Sequence, residues 1–170
     1  MSVDYLLIGH FTADIVPAGR CLGGTVSYAA ATAHAFGLRV SALTSAAPAD
    51  PLLDDLRACT QLEVIPAAAT TTYENIYTGD SRTQFVRAVA APITGHHLPA
   101  AMRAAPLVHF APIAAEIDLN MVHDFPEAWT LLTLQGMLRR WGDDGRVHFR
   151  PWHDPAVLRA LDIVVLSEED

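Results

Sequence analysis

The chain has 170 residues, of which 51% are apolar and 18% charged, and it carries a formal net charge of -8. This composition is typical of a folded domain and excludes a disordered chain. The negative charge argues against nucleic acid and anionic membranes as partners, which leaves a small molecule as the expected ligand. The sequence contains no lysine, so phosphate-binding lysines and Schiff-base chemistry are excluded.

The two cysteines, Cys21 and Cys59, form neither a CxxC motif nor a disulfide framework. The N-terminus lacks the basic flank and long apolar stretch of a secretion signal, and no apolar run reaches membrane-spanning length. We therefore expect a reduced, cytoplasmic protein.

Apolar runs and alanine-rich helical stretches alternate in the first part of the chain, which is typical of a parallel sheet covered by helices. Gly37 closes the first helix, and Pro51 lies at the start of the second. The predicted elements are a strand over Val3–Gly9, a connection over 10–22, a helix over Thr25–Phe36, a strand over Arg39–Thr44, a helix from Pro51 to Cys59 and a strand over Leu62–Ile65.

Polar and apolar residues alternate over about 70–89 on either side of Gly79-Asp80-Ser81, and this pattern predicts an antiparallel hairpin with one open face. A hairpin within a parallel α/β chain indicates a lid or an interface element. A plain edge hairpin would produce the same pattern, so both interpretations stay open.

The second half of the chain returns to short strands and helices. Asp154 and Pro155 are typical of a helix cap and its first turn, and the final strand is expected to lie exposed at a sheet edge. The predicted elements are a helix over Leu98–Ala105, strands over Leu107–Phe110 and Trp129–Leu134, a charged loop over Arg139–Asp144, a strand over Val147–Phe149, a helix from Asp154 and a strand over Leu161–Leu166.

A candidate ligand site lies where Gly23 and Gly24 open the first helix, downstream of Asp14. Glycines let a ligand approach the backbone closely, and the free amides at a helix start favour hydroxyls or anions. A carboxylate such as that of Asp14 can accept hydrogen bonds from two sugar hydroxyls. Together these residues predict the floor of a substrate site.

The order of a strand, Asp14, the Gly23-Gly24 helix, Asp50-Pro51, a hairpin and an apolar strand before an acidic stretch resembles the PfkB or ribokinase family of carbohydrate and nucleoside kinases. The resemblance covers nearly the whole chain, but only about the first half of the family's usual length. It implies an α/β, Rossmann-like fold with a mostly parallel sheet flanked by helices and a small β-hairpin lid. Residues 1–170 would be its N-terminal, substrate-binding part, with the C-terminal part missing.

The resemblance also implies roles for particular residues, with Tyr28 standing where the family usually has asparagine. The implied site residues are Asp14, Gly23, Gly24 and Tyr28 for the substrate, Asn75, Arg82 and Gln84 in the lid, and Arg139, Ser167 and Asp170 for the phosphate or metal environment.

The activity that the resemblance implies is ATP-dependent phosphorylation of a sugar or nucleoside hydroxyl, with ATP and Mg²⁺ as cofactors of the full-length family. The family's Gly-Ala-Gly-Asp loop, which supplies the anion hole and the catalytic base, is absent from this sequence. We therefore expect no catalytic residue in the chain, neither cofactor bound tightly and no activity of the chain by itself. The alternative is a non-catalytic, ligand-binding or self-associating remnant of the kinase fold, and a homodimer through the lid or the exposed sheet edge stays open.

Three other patterns have weaker support in the sequence. The segment from Gly9 to Asp14 lacks the GxGxxG spacing of a dinucleotide-binding fold. The eight histidines form no HxxxH or HExxH pair, so we expect surface histidines and no metal site. Glu116 and Asp118 either face a ligand at the end of a strand or are solvated in a loop.

Overall fold

A computed structural model describes residues 3–79 and 81–167. The strands are β1 Tyr5–Ile8, β2 Thr12–Val16, β3 Gly19–Gly23, β4 Val40–Ala46, β5 Gln61–Pro66, β6 Thr72–Thr78, β7 Ser81–Ala88, β8 Leu107–Phe110, β9 Trp129–Thr133, β10 Arg139–Trp141, β11 Val147–Phe149 and β12 Ile163–Val165. The helices are α1 Thr25–Ala35, α2 Leu52–Arg57 and α3 Pro155–Ala160, with short 3-10 helices over Gly95–His97, Ala100–Met102, Leu119–Asp124 and Leu134–Leu138. None of the helices in these described ranges is long and apolar enough to cross a membrane.

The central sheet has six strands in the order β12-β9-β8-β1-β4-β5, and every neighbouring pair is parallel. This confirms the predicted parallel α/β architecture. Because parallel strands end at the same edge, the connections that follow β1, β8 and β9 meet on one side of the molecule.

Two large apolar clusters cover the two faces of this sheet, and β1 contributes to both because successive strand residues point to opposite faces. Leu7 packs in the cluster formed with α1 and α2. Leu6 and Ile8 pack in the other, where Phe110 and Phe125 meet edge to face with ring centroids 6.1 Å apart. All three β1 side chains are fully buried, as expected of a continuous apolar strand at the centre of a sheet.

A second sheet of four strands, in the order β3-β2-β6-β7, stands beside the central sheet. Its β6 and β7 form the antiparallel hairpin predicted over 70–89. The connection predicted over 10–22 contains two strands that the sequence did not indicate, because β2 and β3 lie there and pair with each other, while β2 also runs parallel to β6. Most side chains of β3 are exposed, so backbone pairing forms this strand without an apolar pattern in the sequence.

Two further predictions from the second half of the chain need correction. The charged loop predicted over Arg139–Asp144 begins with β10, which pairs antiparallel with β11 and hides the Arg139 side chain while Arg140 stays exposed. The buried and exposed side chains alternate here as in any strand, but the sequence does not show it because both residues are arginines. The helix predicted over Leu98–Ala105 is only a short 3-10 helix over Ala100–Met102.

Strand β12 lies at the edge of the central sheet, as expected for the last predicted strand. Its three side chains are 36–47% exposed although all are apolar. The helix before it is confirmed too, because the Asp154 carboxylate accepts hydrogen bonds from the backbone amides of Ala156 and Val157.

His109 on β8 predicts a pH dependence of stability. Its ring nitrogens lie 2.7 Å from the Tyr5 hydroxyl and 2.7 Å from the Thr133 hydroxyl, and burial lowers the pKa of His109 to about 4. In the unfolded chain, the His109 side chain therefore becomes protonated near pH 6.5, whereas in the folded chain it becomes protonated only near pH 4. Because of His109, we expect the free energy of unfolding to decrease by about 3 kcal/mol as the pH falls between these two pKa values. Below the pKa of the folded state, His109 should cause no further decrease.

Urea unfolding at pH 7 and pH 4.5 would measure this effect. The His109→Gln variant keeps hydrogen-bonding groups but cannot titrate, so its stability should fall less than that of the wild type. His123→Gln, at an exposed position, is the matched control and should behave like the wild type. Equal losses in all three proteins would contradict the assignment to His109.

Candidate functional site

A cleft of about 300 Å³ opens between the four-stranded sheet and the edge of the central sheet where the parallel strands end. It is bounded by β2, the start of α1, the β6–β7 hairpin and the connections after β8 and β9. The lining residues are Thr12, Asp14, Gly24, Thr25, Tyr28, Tyr73, Asn75, Tyr77, Arg82, Gln84, Ile113, Gln135 and Arg139.

Asp14 enters the cleft from the middle of β2, where Thr12 donates a 2.7 Å hydrogen bond from Oγ1 to its Oδ1. Gly23 lies on the paired strand β3, and a Cβ there would stand 2.4 Å from Asp14 Oδ2 and 2.7 Å from Thr12 Oγ1. Gly23 is therefore needed to make room for the carboxylate and lies behind it, not on the cleft surface. This close approach explains why position 23 is occupied by glycine.

Gly24, in contrast to Gly23, lines the cleft directly. It is the N-cap of α1 with φ 85°, a left-handed conformation that favours glycine, and no side chain caps the helix. Uncapped amides at a helix start attract hydroxyls or anions. Tyr28, 66% exposed, extends this wall by one helical turn.

The hairpin provides the opposite wall, and the three residues predicted for the lid all lie on it. Gln84 on β7 donates a 2.9 Å hydrogen bond to Asn75 Oδ1 on β6, so the two amides form one polar unit across the strands. Arg82 lies one strand alternation further along β7, on the same face.

Arg139 and Tyr73 form the buried floor of the cleft. The Arg139 guanidinium stands 5.3 Å from the Tyr73 ring centroid and donates a 3.3 Å hydrogen bond to the Ile113 carbonyl. Tyr73 donates to the same carbonyl at 2.7 Å, and burial raises the pKa of Tyr73 to about 12 against the lowering effect of Arg139. Tyr73 therefore stays a neutral donor, and it anchors the connection after β8 to the hairpin.

No protein-family model and no curated protein matches the sequence. Solved structures do match. A pyrophosphate-dependent kinase in the ribokinase family, complexed with a pyrophosphate analog and myo-inositol, is 24% identical over 94% of this chain, with a TM-score of 0.79. An uncharacterized sugar kinase from Pyrococcus horikoshii is 14% identical over 76% of the chain (TM-score 0.62), and a PfkB protein from Polaromonas sp. JS666 is 14% identical over 78% (TM-score 0.57).

The chain has the ribokinase fold. This confirms the fold that the sequence resemblance implies. The chain spans 60%, 54% and 55% of the lengths of these three solved chains, respectively.

Within this ribokinase fold, Glu116 has a structural position that neither sequence interpretation foresaw. Its buried carboxylate accepts backbone hydrogen bonds from His10 at 2.9 Å, Ile113 at 3.0 Å and Ala114 at 2.7 Å. It therefore neither faces the cleft nor lies solvated in a loop. It ties the end of β1 to the connection after β8, which carries the Ile113 carbonyl.

Asp50, the acid of the Asp50-Pro51 pair, also lies outside the cleft lining. It is buried and accepts hydrogen bonds from Thr70 at 2.5 Å and Arg20 at 2.6 Å. Burial by itself raises the pKa of Asp50, but these bonds and the Leu52 amide outweigh it and hold the pKa below its usual range. Asp50 thus joins the four-stranded sheet to the connection after β4.

The remaining phosphate or metal residues are not brought to the cleft. Ser167 follows β12, is exposed and does not line the cleft. Asp170 lies outside the described residues. Over residues 3–79 and 81–167, no group of three or more His, Cys, Asp or Glu side chains could hold a metal ion.

The sequence interpretation overlooked Tyr73, Ile113 and Gln135 as cleft residues. Tyr73 has a usable signal, because it is the inward-facing aromatic residue of an alternating strand. Ile113 and Gln135 sit in irregular connections, and only the convergence of strand ends brings them to the site.

Proposed function

We propose that the cleft binds the hydroxyl-bearing substrate of a kinase, a sugar or a nucleoside. The observation that carries this proposal is the Asp14 carboxylate, positioned by Thr12 and facing the amides of Asn75 and Gln84 across the cleft. The neighbour described as complexed with myo-inositol supports a ligand that carries several hydroxyls.

The chemistry of each wall suits such a ligand. A carboxylate retains several lone pairs after accepting from Thr12, so Asp14 can accept from two hydroxyls and orient them. The side-chain amides of Asn75 and Gln84 offer both donors and acceptors from the hairpin. Gly24 lets the ligand ring approach the start of α1 without a side chain in the way.

Phosphoryl transfer requires a positioned hydroxyl, a clamped donor and neutralisation of the developing charge. We assign the first task to the described residues, and we assign no catalytic base to this chain. We propose ATP as the donor, used with Mg²⁺; an ATP complex of a Pyrococcus horikoshii sugar kinase supports ATP, while other neighbours are pyrophosphate-dependent. The described residues do not fit a magnesium site, because they include no group of three or more His, Cys, Asp or Glu side chains that could hold the ion.

We assign the hairpin the role of a lid. A lid that closes over the substrate excludes water from a reaction in which hydrolysis of the donor competes with transfer. Asn75, Arg82 and Gln84 would contact the substrate from this side. The cytoplasmic location of the protein stays a prediction.

The apolar, exposed β12 edge supports a second candidate function, a non-catalytic module that self-associates. An unpaired edge strand offers its backbone groups to a second strand. Sedimentation velocity over a range of concentrations would detect the resulting homodimer, and a concentration-independent monomer would contradict it.

Calorimetric titration of the chain with sugars, myo-inositol and nucleosides, and then with ATP and Mg²⁺, tests the proposal. We expect at least one neutral hydroxyl-bearing ligand to bind without ATP, and no turnover. Binding of none would contradict the substrate role and favour the self-associating module. Turnover with ATP would show that the chain by itself is a complete kinase, against our expectation.

A further inference from the structure

Within the described residues, four connections join the four-stranded sheet to the central sheet and its helices. They are residues 9–11 between β1 and β2, Gly24 between β3 and α1, residues 67–71 between β5 and β6, and residues 89–94 after β7. The cleft lies between the two parts of the molecule that these connections join. Contacts that fix the connections therefore also fix the distance between the walls of the cleft.

The His10 side chain lies in the first connection and contacts two of the others. His10 and Thr71 are both fully buried. His10 Nε2 lies 2.9 Å from the Ala91 carbonyl oxygen, which can only accept, so Nε2 carries the hydrogen of the neutral ring. The Thr71 hydroxyl then donates to Nδ1 at 2.7 Å, and its oxygen accepts a 3.0 Å hydrogen bond from the Ala90 amide. The ring thus joins the two ends of the β6–β7 hairpin.

The junction around His10 also reaches the central sheet. The Ala91 amide donates a 3.1 Å hydrogen bond to Ser45 Oγ at the end of β4. The His10 backbone amide donates to Glu116, which holds the connection that carries Ile113 to the cleft. His10 therefore bonds to the hairpin through its ring and to the opposite wall of the cleft through its backbone. Because these groups are buried, losing one leaves its partners without a hydrogen bond.

His10 does not line the cleft, and contacts within the protein occupy both of its ring nitrogens. An effect of His10 on a bound ligand must therefore pass through the position of the hairpin. The hairpin carries the amides of Asn75 and Gln84, whereas Gly24 belongs to the other side of the junction. A ligand that contacts both sides needs both within hydrogen-bond distance, and a shift of about 1 Å breaks such a bond.

We propose that His10, together with Thr71, is a positioning residue that sets the width of the cleft. It orients the hairpin toward the start of α1 without touching the substrate. The inference deepens the proposed function, on which it rests for the identity of the ligand as a hydroxyl-bearing molecule.

A matched pair of variants at Thr71 tests the junction. Thr71→Val removes the hydroxyl and keeps the volume of the side chain, whereas Thr71→Ser keeps the hydroxyl. His10→Asn keeps an acceptor near Nδ1 but is too short to reach the Ala91 carbonyl. Met102→Ala is the control for a general loss of stability, because Met102 is buried in the core and precedes β8, at the opposite edge of the sheet from the cleft. Urea unfolding establishes which variants fold.

The first readout needs no ligand. The Val86 amide on the hairpin donates a 2.8 Å hydrogen bond to the Gly145 carbonyl in the β10–β11 turn, so its hydrogen exchange reports whether the hairpin keeps its position. Relative to amides within β1 and β8, we expect the Val86 amide to exchange about tenfold faster in Thr71→Val and His10→Asn, as the loss of one hydrogen bond implies. Thr71→Ser and Met102→Ala should exchange like the wild type.

The second readout is the calorimetric affinity for the best neutral ligand among sugars, myo-inositol and nucleosides. We expect affinity about tenfold weaker in Thr71→Val and His10→Asn, and unchanged in Thr71→Ser and Met102→Ala. Thr71→Val, the milder change, decides the case if His10→Asn does not fold.

Unchanged Val86 exchange in a folded Thr71→Val protein would overturn the inference, and so would faster exchange with unchanged affinity. Equal effects in Met102→Ala would assign the change to general destabilisation and overturn it as well. Failure of the proposed function has a different signature, because then no ligand binds even the wild type, while the exchange of the Val86 amide still shows whether the junction positions the hairpin.

Discussion

Replacing Glu116 with alanine is expected to lower the free energy of unfolding by about 4 kcal/mol, because three buried backbone donors lose their acceptor at once. Those donors are the amides of His10, Ile113 and Ala114, and no other hydrogen bond is seen for them among the described residues. The Ala115 residue between them has φ 54°, so this connection is held in an uncommon conformation by the carboxylate.

Urea unfolding at pH 7 measures this loss. Glu116→Gln keeps one acceptor oxygen but turns an amide group toward an N–H donor, so its loss should be about 2 kcal/mol. Glu127→Ala, at an exposed position, is the control and should change the stability by less than about 0.5 kcal/mol. A loss below about 1 kcal/mol for Glu116→Ala would mean that water or a shifted backbone replaces the carboxylate.

Replacing Asp14 with asparagine is expected to weaken binding of a neutral sugar or nucleoside about 100-fold. The expectation follows from the loss of a charged acceptor for two hydroxyls, each bond contributing about 1.5 kcal/mol or more. The fold should be retained, since Thr12 can still donate its hydrogen bond to an amide oxygen at this position. Calorimetry with the best ligand of the panel measures the affinity, and urea unfolding checks the fold.

Asp55→Asn is the matched control, because Asp55 is exposed on α2 and does not line the cleft. Its affinity should equal that of the wild type. An Asp14→Asn protein that folds and binds with unchanged affinity would remove Asp14 from the site and would leave the hairpin amides as the main substrate contacts.

The sequence by itself determined those helices and strands whose pattern lies entirely within their own residues. The continuous apolar run of β1, the Gly24–Gly37 limits of α1 and the alternation of the β6–β7 hairpin each reflect the burial of their own side chains. The same patterns, with the family resemblance, named Asp14 and Gly24 and the lid residues, because these lie at the ends or faces of such elements.

Only the tertiary structure decided the features that depend on residues far apart in the chain. Strands β2 and β3 form because a partner, β6, completes a sheet about sixty residues later, and backbone pairing of this kind leaves little trace in an exposed sequence. Glu116 accepts a hydrogen bond from the backbone amide of His10, 106 residues away, although the sequence around Glu116 resembles that of an ordinary loop.

The meeting of Arg82 and Arg139 in one cleft belongs to this second class. The family resemblance implies a role for each of them, but they lie in different segments of the chain. They share the cleft because Arg139 is buried against Tyr73, which lies on the same hairpin as Arg82. Sequence patterns indicate which side chains are buried. Which side chains line the same cleft depends on how helices and strands from separate parts of the chain pack together.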